Sequence, residues 1–142
     1  MRAGDPEQHD HHAEIAHVLR TFFSAFTSGP DVAERLTDLH DLFLPGATIV
    51  IAGDTPTVLD VDRFITPRLA LLTDGRLSHF HEWEESGHTE VSGSIAHHWC
   101  TYAKAGEQEG LAFTGRGHKT VQLVRTTDGW RISALAWEDE QP

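Results

Sequence analysis

Positive charge is scarce in this chain: eleven Lys and Arg stand against 22 Asp and Glu, for a formal net charge of −11. Such a field repels phosphate backbones and anionic bilayers, so neither nucleic acid nor a membrane surface is an expected partner. Cysteine is scarcer still. Cys100 alone forms no intramolecular disulfide, and its apolar, strand-like context fits a reducing cytoplasm. Long apolar runs are missing as well: no run of roughly 18 apolar residues is present, and MRAGDPEQHDHH lacks the apolar segment of a signal peptide, so a soluble cytoplasmic protein is expected. The histidines number eleven, with His9, His11 and His12 clustered near the start and His79 and His81 two apart on a strand, but no Cys or carboxylate spacing completes a recognised ligand set. No metal and no cofactor is expected. Gly115 and Gly117 form a G-x-G without the following helix that phosphate binding needs.

What the chain does have is 39% hydrophobic residues over 142 positions, enough for a single domain with its own core. Residues 1–12 read as a flexible polar tail and 13–142 as the domain. From Glu14 the pattern is helical: Ile15, Val18, Leu19, Phe22, Phe23 and Phe26 form one apolar stripe, ended by Ser28-Gly29-Pro30. Asp31 is placed to cap a second helix carrying Val32, Leu36, Leu39 and Phe43 up to Pro45-Gly46. Residues 47–52, ATIVIA, read as a β-branched strand. Asp60 can cap a third helical stretch with Phe64 and Ile65, interrupted at Pro67 and stopped at Gly75. Four strands follow, over 77–86, 94–104, 111–126 and 130–138, separated by GHTEVSG, AGEQEG and TDG.

The last third is a hairpin. Val121, Leu123, Ile132, Ala134 and Ala136 alternate with polar neighbours, and Asp128-Gly129 supplies a tight turn. On that turn Leu123 faces Ala134, and Lys119 faces Glu138 as an opposite-charge pair. Helices first and a twisted antiparallel sheet second give an α+β domain with its helices on one sheet face.

FHEWEE (80–85), SGSIAHHWCTYAKA (92–105) and GRGHKTVQLVRTTDGWRISALAWEDE (115–140), following helix, helix, short strand and helix, resemble the nuclear-transport-factor-2-like, or SnoaL-like, superfamily, and more narrowly a bacterial branch of uncharacterised proteins. The likeness covers roughly residues 12 to 139. It implies a cone: a strongly curved antiparallel sheet with about three N-terminal helices on its concave face, enclosing a pocket. Superfamily members include isomerases, dehydratases and polyketide cyclases, together with proteins that only bind or assemble, so no family catalytic residue is carried over. Lys119 stands where the branch tends to have Asn, and Cys100 where it tends to have Ser.

The candidate residues come from strand register. If Lys104 faces Leu111 across AGEQEG, His97 faces His118 and Trp99 faces Arg116, and these four share one polar sheet face with Gln122 and Trp137. Two imidazoles beside a cation suit proton transfer near neutral pH, giving His97 and His118 as expected catalytic groups and Trp99, Arg116, Gln122 and Trp137 as expected substrate-binding groups. The same polar-aromatic face equally describes a homodimer interface. If the opposite face lines the pocket, its residues are Phe113, Leu123 and Ala134, with His98 and Tyr102 as polar groups. Glu82 and Glu84 read as a solvated or salt-bridged face, with Arg116 or Lys119 as counter-charges. Two functions remain open: a cofactor-independent isomerase, dehydratase or cyclase acting on a hydrophobic carbonyl or cyclic substrate, or a non-catalytic ligand-binding or dimeric assembly module.

Overall fold

The computed structural model describes residues 6–141. Helix α1, Pro6–Ser24, buries the expected stripe, with Ile15, Val18, Leu19, Phe22 and Phe23 all nearly inaccessible. It begins well before Glu14, so residues 6–12 are helical rather than part of a loose tail; residues 1–5 lie outside the described residues. Proline is at home in a first turn, where its missing N–H costs nothing, and contacts with the sheet hold the segment. The Trp130 indole N–H donates to His11 Nδ1 at 3.3 Å, and the Trp130 backbone N–H donates to the Glu14 carboxylate at 2.7 Å.

Helix α2, Val32–Asp38, passes into a 3₁₀ turn, Leu39–Leu42, so Phe43 opens a strand instead of ending a helix. Asp31 makes no side-chain cap, whereas Asp60 accepts the Arg63 N–H at 2.8 Å and starts helix α3, Val61–Thr73. Pro67 does not interrupt α3. Its ring removes one backbone hydrogen bond, but Phe64, Ile65 and Leu72 on the same helix are buried, and that packing outweighs the loss.

The strands are β1 Phe43–Ile51, β2 Thr57–Leu59, β3 Leu77–Ser92, β4 Ile95–Gln108, β5 Leu111–Thr126 and β6 Gly129–Asp139, in the order β2-β1-β6-β5-β4-β3. From β3 to β6 the sheet is antiparallel as expected. β1 lies parallel to β6, so the whole sheet is mixed; it is curved and does not close. Two turns are tighter than the sequence suggested. GHTEV continues β3, and only Glu109 (φ 52°) and Gly110 (φ 84°) join β4 to β5, both in the left-handed conformation of a two-residue hairpin loop. Gln108, not Lys104, therefore faces Leu111. The slip is an even number of residues. Partners change, but each residue stays on its expected face: His97 faces Gln122, Trp99 faces Thr120, and Thr101 faces His118.

The final hairpin departs in a way that does exchange faces. Thr126 pairs with Gly129, so Thr127 and Asp128 form the turn, and an extra residue at Ser133 shifts the register between Leu123↔Ile132 and Gln122↔Ala134. Beyond the bulge Leu135 and Trp137 point to the helices, while Ala134 and Ala136 face away. Lys119 accordingly pairs with Trp137 in the ladder, and His118 takes the place opposite Glu138. Inside this curve Phe22 packs on Phe23, Phe26, Phe43 and Phe64, tying α1 and α3 to the sheet.

Candidate functional site

Between α1, α3 and the inner face of β3–β6 lies a cavity of about 280 Å³, walled by Phe22, Phe26, Phe64, Phe80, Phe113 and Trp137. Into this apolar space project Arg68, Glu82, Lys104 and Lys119. Lys119 is 4% exposed. Its Nζ lies 4.7 Å from the ring centres of Phe22 and Phe23, 4.8 Å from that of Tyr102 and 5.5 Å from that of Trp137, and it donates to Glu82 Oε2 at 3.0 Å. An ammonium removed from water must be compensated, and here ring faces and one carboxylate do so together. The β6 bulge makes this possible, because it turns Trp137 inward beside Lys119.

Arg68, on α3, is held differently. Its guanidinium lies over Phe64 at 4.5 Å and Trp137 at 5.3 Å and donates to the Phe64 carbonyl at 2.9 Å. Burial lowers its pKa, and Glu82 and Asp139 offset this only in part. At the rim, Asp139 accepts from Lys104 at 2.8 Å and from the Tyr102 hydroxyl at 2.5 Å. Burial pushes the Asp139 carboxyl up, but those two hydrogen bonds together with the charges of Lys104 and Lys119 more than offset it and leave it below the usual aspartate range. Burial, followed by the hydrogen bond to Asp139, raises the Tyr102 phenol, which stays protonated as a donor. Tyr102 reaches Asp139 across Gly117, where any Cβ would collide with the phenol oxygen and the Glu138 carbonyl.

A second polar group lies between α1 and the sheet. His98, 5% exposed, has Nε2 2.7 Å from Glu84 Oε1 and Nδ1 2.7 Å from the Thr89 hydroxyl. With Cys100 these residues bring one donor atom each within 4.8 Å of one another, a carboxylate, imidazole and thiol set of the kind that holds zinc. Both His98 nitrogens already have hydrogen-bond partners, and burial, reinforced by Glu84, pushes the Cys100 thiol up to about 12, so the trio is satisfied as a hydrogen-bonded cluster.

The residues expected at the site separate into two groups. His97, Trp99, Arg116, His118 and Gln122 do share a face, but it is the outer one, turned from the helices, and none of them lines this cavity. His97 and His118 are not cross-strand partners: Gln122 Nε2 lies 3.0 Å from His97 Nδ1, His118 stacks on Trp99 at 5.5 Å, and Arg116 binds Glu85 at 2.6 Å. Trp137 alone of the six lies in the cavity wall, moved there by the bulge. The opposite-face reading places Phe113 in the wall and Tyr102 and His98 in the interior, with Ala134 exchanged for Leu135. Sequence reasoning missed Arg68 and placed Lys119 opposite Glu138, where His118 stands instead, but its offer of Lys119 as a counter-charge for Glu82 holds at 3.0 Å. The signal was present in Lys119, a cation between alternating apolar residues on the buried face.

Compared as a sequence, the chain matches no protein-family model and no curated protein. Compared as a structure, it resembles a candidate aromatic ring hydroxylase from Novosphingobium aromaticivorans at 17% identity, covering 94% of this chain and 91% of that one with a TM-score of 0.75. It also resembles a candidate dehydratase of the nuclear-transport-factor-2-like family from Streptomyces avermitilis, at 14% identity, 96% and 99% coverage and a TM-score of 0.73. A candidate calcium/calmodulin-dependent protein kinase II association domain from Xanthomonas campestris aligns at 12% identity, 89% and 86% coverage and a TM-score of 0.69. The chain thus has the nuclear-transport-factor-2-like, cystatin-like α+β fold anticipated from its strand motifs. At these identities the likeness establishes fold and leaves chemistry to the residues.

Proposed function

We propose that this protein binds a small hydrophobic carbonyl or cyclic compound in the cavity between α1, α3 and the sheet, and that without a cofactor it moves a proton there, as an isomerase, dehydratase or cyclase does. One observation carries the reading: a carboxylate and an ammonium, Glu82 and Lys119, stand 3.0 Å apart in the wall of an aromatic cavity, with side chains only 14% and 5% exposed. Lys119 binds Glu82 Oε2, so Oε1 remains as an acceptor. In the proposed step Glu82 takes a proton from the carbon beside the substrate carbonyl, the C–H electron pair forms the carbon–carbon double bond as the carbonyl π pair moves to oxygen, and the Lys119 ammonium stabilises the resulting enolate with a second N–H. Returning the proton to another carbon isomerises the substrate; loss of a β-hydroxyl, which takes a proton as it leaves, dehydrates it. The candidate dehydratase among the similar structures supports this class. The cytoplasm is the proposed setting, since a lone thiol such as Cys100 stays reduced there.

Deuterium uptake at the α-carbon tests it, followed by proton NMR in D₂O across a panel of enolisable ketones. The wild type is expected to exchange at least one of them well above buffer, and Glu82→Gln to lower that rate by about 10²–10⁴-fold, the usual contribution of a positioned base. Unchanged exchange in Glu82→Gln overturns the assignment.

A specific observation favours a second reading, the dimeric assembly module. The outer face exposes Trp83 at 39%, Trp99 at 41% and Ile95 at 62% beside His97, His118, Arg116 and Gln122. Aromatic and Arg groups of this kind make interface centres. The candidate association domain among the similar structures supports an assembly role, for which a homodimer through this face is the proposed form. Self-association and pocket chemistry use opposite faces of the sheet, so the two are compatible.

A further inference from the structure

Three cations, Arg68, Lys104 and Lys119, and one carboxylate, Glu82, line the cavity, and a second carboxylate, Asp139, pairs with Lys104. Lys119 is paired with Glu82 at 3.0 Å and Lys104 with Asp139 at 2.8 Å. Arg68 is left over: no carboxylate among the described residues pairs with it, and its one hydrogen bond goes to the neutral Phe64 carbonyl. This is unusual in a chain whose acids outnumber its bases two to one, 22 to eleven. A half-buried guanidinium resting on Phe64 and Trp137 has N–H donors to spare, and their planar fork matches the two oxygens of a carboxylate. Trp137 has Arg68 at 5.3 Å and Lys119 at 5.5 Å from its ring, so both cations border one apolar wall.

Resting on the pocket reading above, we infer that the cavity selects carboxylic acids with a flat hydrophobic body, and that Arg68 is the group that binds their carboxylate. A monoanion brings the local charge to balance, and the ring faces of Phe22, Phe64, Phe113 and Trp137 take the body of the ligand. At about 280 Å³ the cavity lies just below the roughly 300–1,000 Å³ of sites for drug-sized molecules, which limits the body to one or two rings. Glu82 contributes to the selection as well, because its carboxylate repels an acid seated wrongly and leaves the Arg68 side as the one place for the anion. Burial of the guanidinium acts in the same direction, since the ligand supplies the counter-charge that Glu82 and Asp139 provide only at a distance.

Isothermal titration of the intact protein with 1-naphthoate and with its neutral isostere 1-naphthamide tests the inference. The wild type is expected to bind the acid at least about tenfold more tightly than the amide, as a charge-assisted bidentate contact predicts. Arg68→Met should bring that ratio close to one while retaining amide affinity, and Arg68→Lys should keep part of it. Retained amide binding shows that Arg68→Met still forms the cavity. Equal affinity of the wild type for acid and amide, or an unchanged ratio in Arg68→Met, overturns acid selection and leaves the pocket reading intact. Failure of the wild type to bind either probe overturns both.

Discussion

Lys119 is the residue at which burial and charge oppose each other most strongly. An ammonium at 4% exposure loses nearly all its hydration, and the four rings and Glu82 must make up the difference. Removing only the carboxylate is therefore expected to be severe. Glu82→Ala should cost about 3–5 kcal/mol in urea denaturation, whereas the double variant Glu82→Leu with Lys119→Met should recover most of it, because an apolar pair of similar volume needs no desolvation. A stable Glu82→Ala protein would show that water reaches Lys119. Asp139 provides a pH test. Its carboxyl, pushed up by burial but pulled further down by Lys104 and Tyr102, sits below the unfolded value of about 3.9, so it contributes stability above that pH and loses it as pH falls through the lowered folded pKa. With the side chain 47% exposed, Asp139→Asn should cost only about 0.5–1 kcal/mol at pH 7. The variant's stability should also fall less steeply than wild type between about pH 4 and pH 2, which acid titrations of denaturation midpoints would measure.

At the scale of elements, two short features decide what the long strands present. The bulge at Ser133 puts Trp137 in the cavity and Ala136 outside; without it the alternation along β6 places them the other way round. The β4–β5 turn sets every partner along those two strands. In it Glu109 holds φ at 52°, a conformation that suits Asn or Gly better than a longer L side chain. Glu109→Asn is expected to stabilise the hairpin by about 0.5–1 kcal/mol, seen as a higher Tm, with no change in ligand affinity. Destabilisation would show that the Glu109 side chain makes an interaction worth more than the strain. The long strands were legible because their apolar residues alternate over many positions. Turn positions were not, since GHTEVSG and AGEQEG contain several sites compatible with a reversal, and only pairing along both strands selects one.

For the whole molecule, the sheet separates two chemistries. Its inner face, covered by α1 and α3, holds the aromatic cavity and its ion pairs; its outer face holds Trp83, Trp99, His118 and Arg116. Among the described residues no helix is long and apolar enough to cross a membrane. The proposed homodimer predicts a light-scattering mass of twice 15.8 kDa at micromolar concentration, and Trp99→Lys should shift it toward the single-chain mass while leaving the cavity's ligand affinity unchanged. A single-chain mass for the wild type would rule out the interface.

The sequence by itself determined the order of helices and strands apart from the short β2, the apolar stripe of α1, the Asp60 cap and the likeness to a known fold, because these depend on local spacing and neighbouring side chains. It also determined which residues of β4 and β5 share a face, since an even slip in register preserves parity. Tertiary structure decided which face became the cavity wall. That choice depends on where α1 and α3 pack, on a bulge that no local pattern marks at Ser133, and on long-range pairs such as Lys104 with Asp139, whose partners lie on strands separated by another. A buried ion pair is a property of the environment that surrounds it, and that environment exists only once the helices close over the sheet.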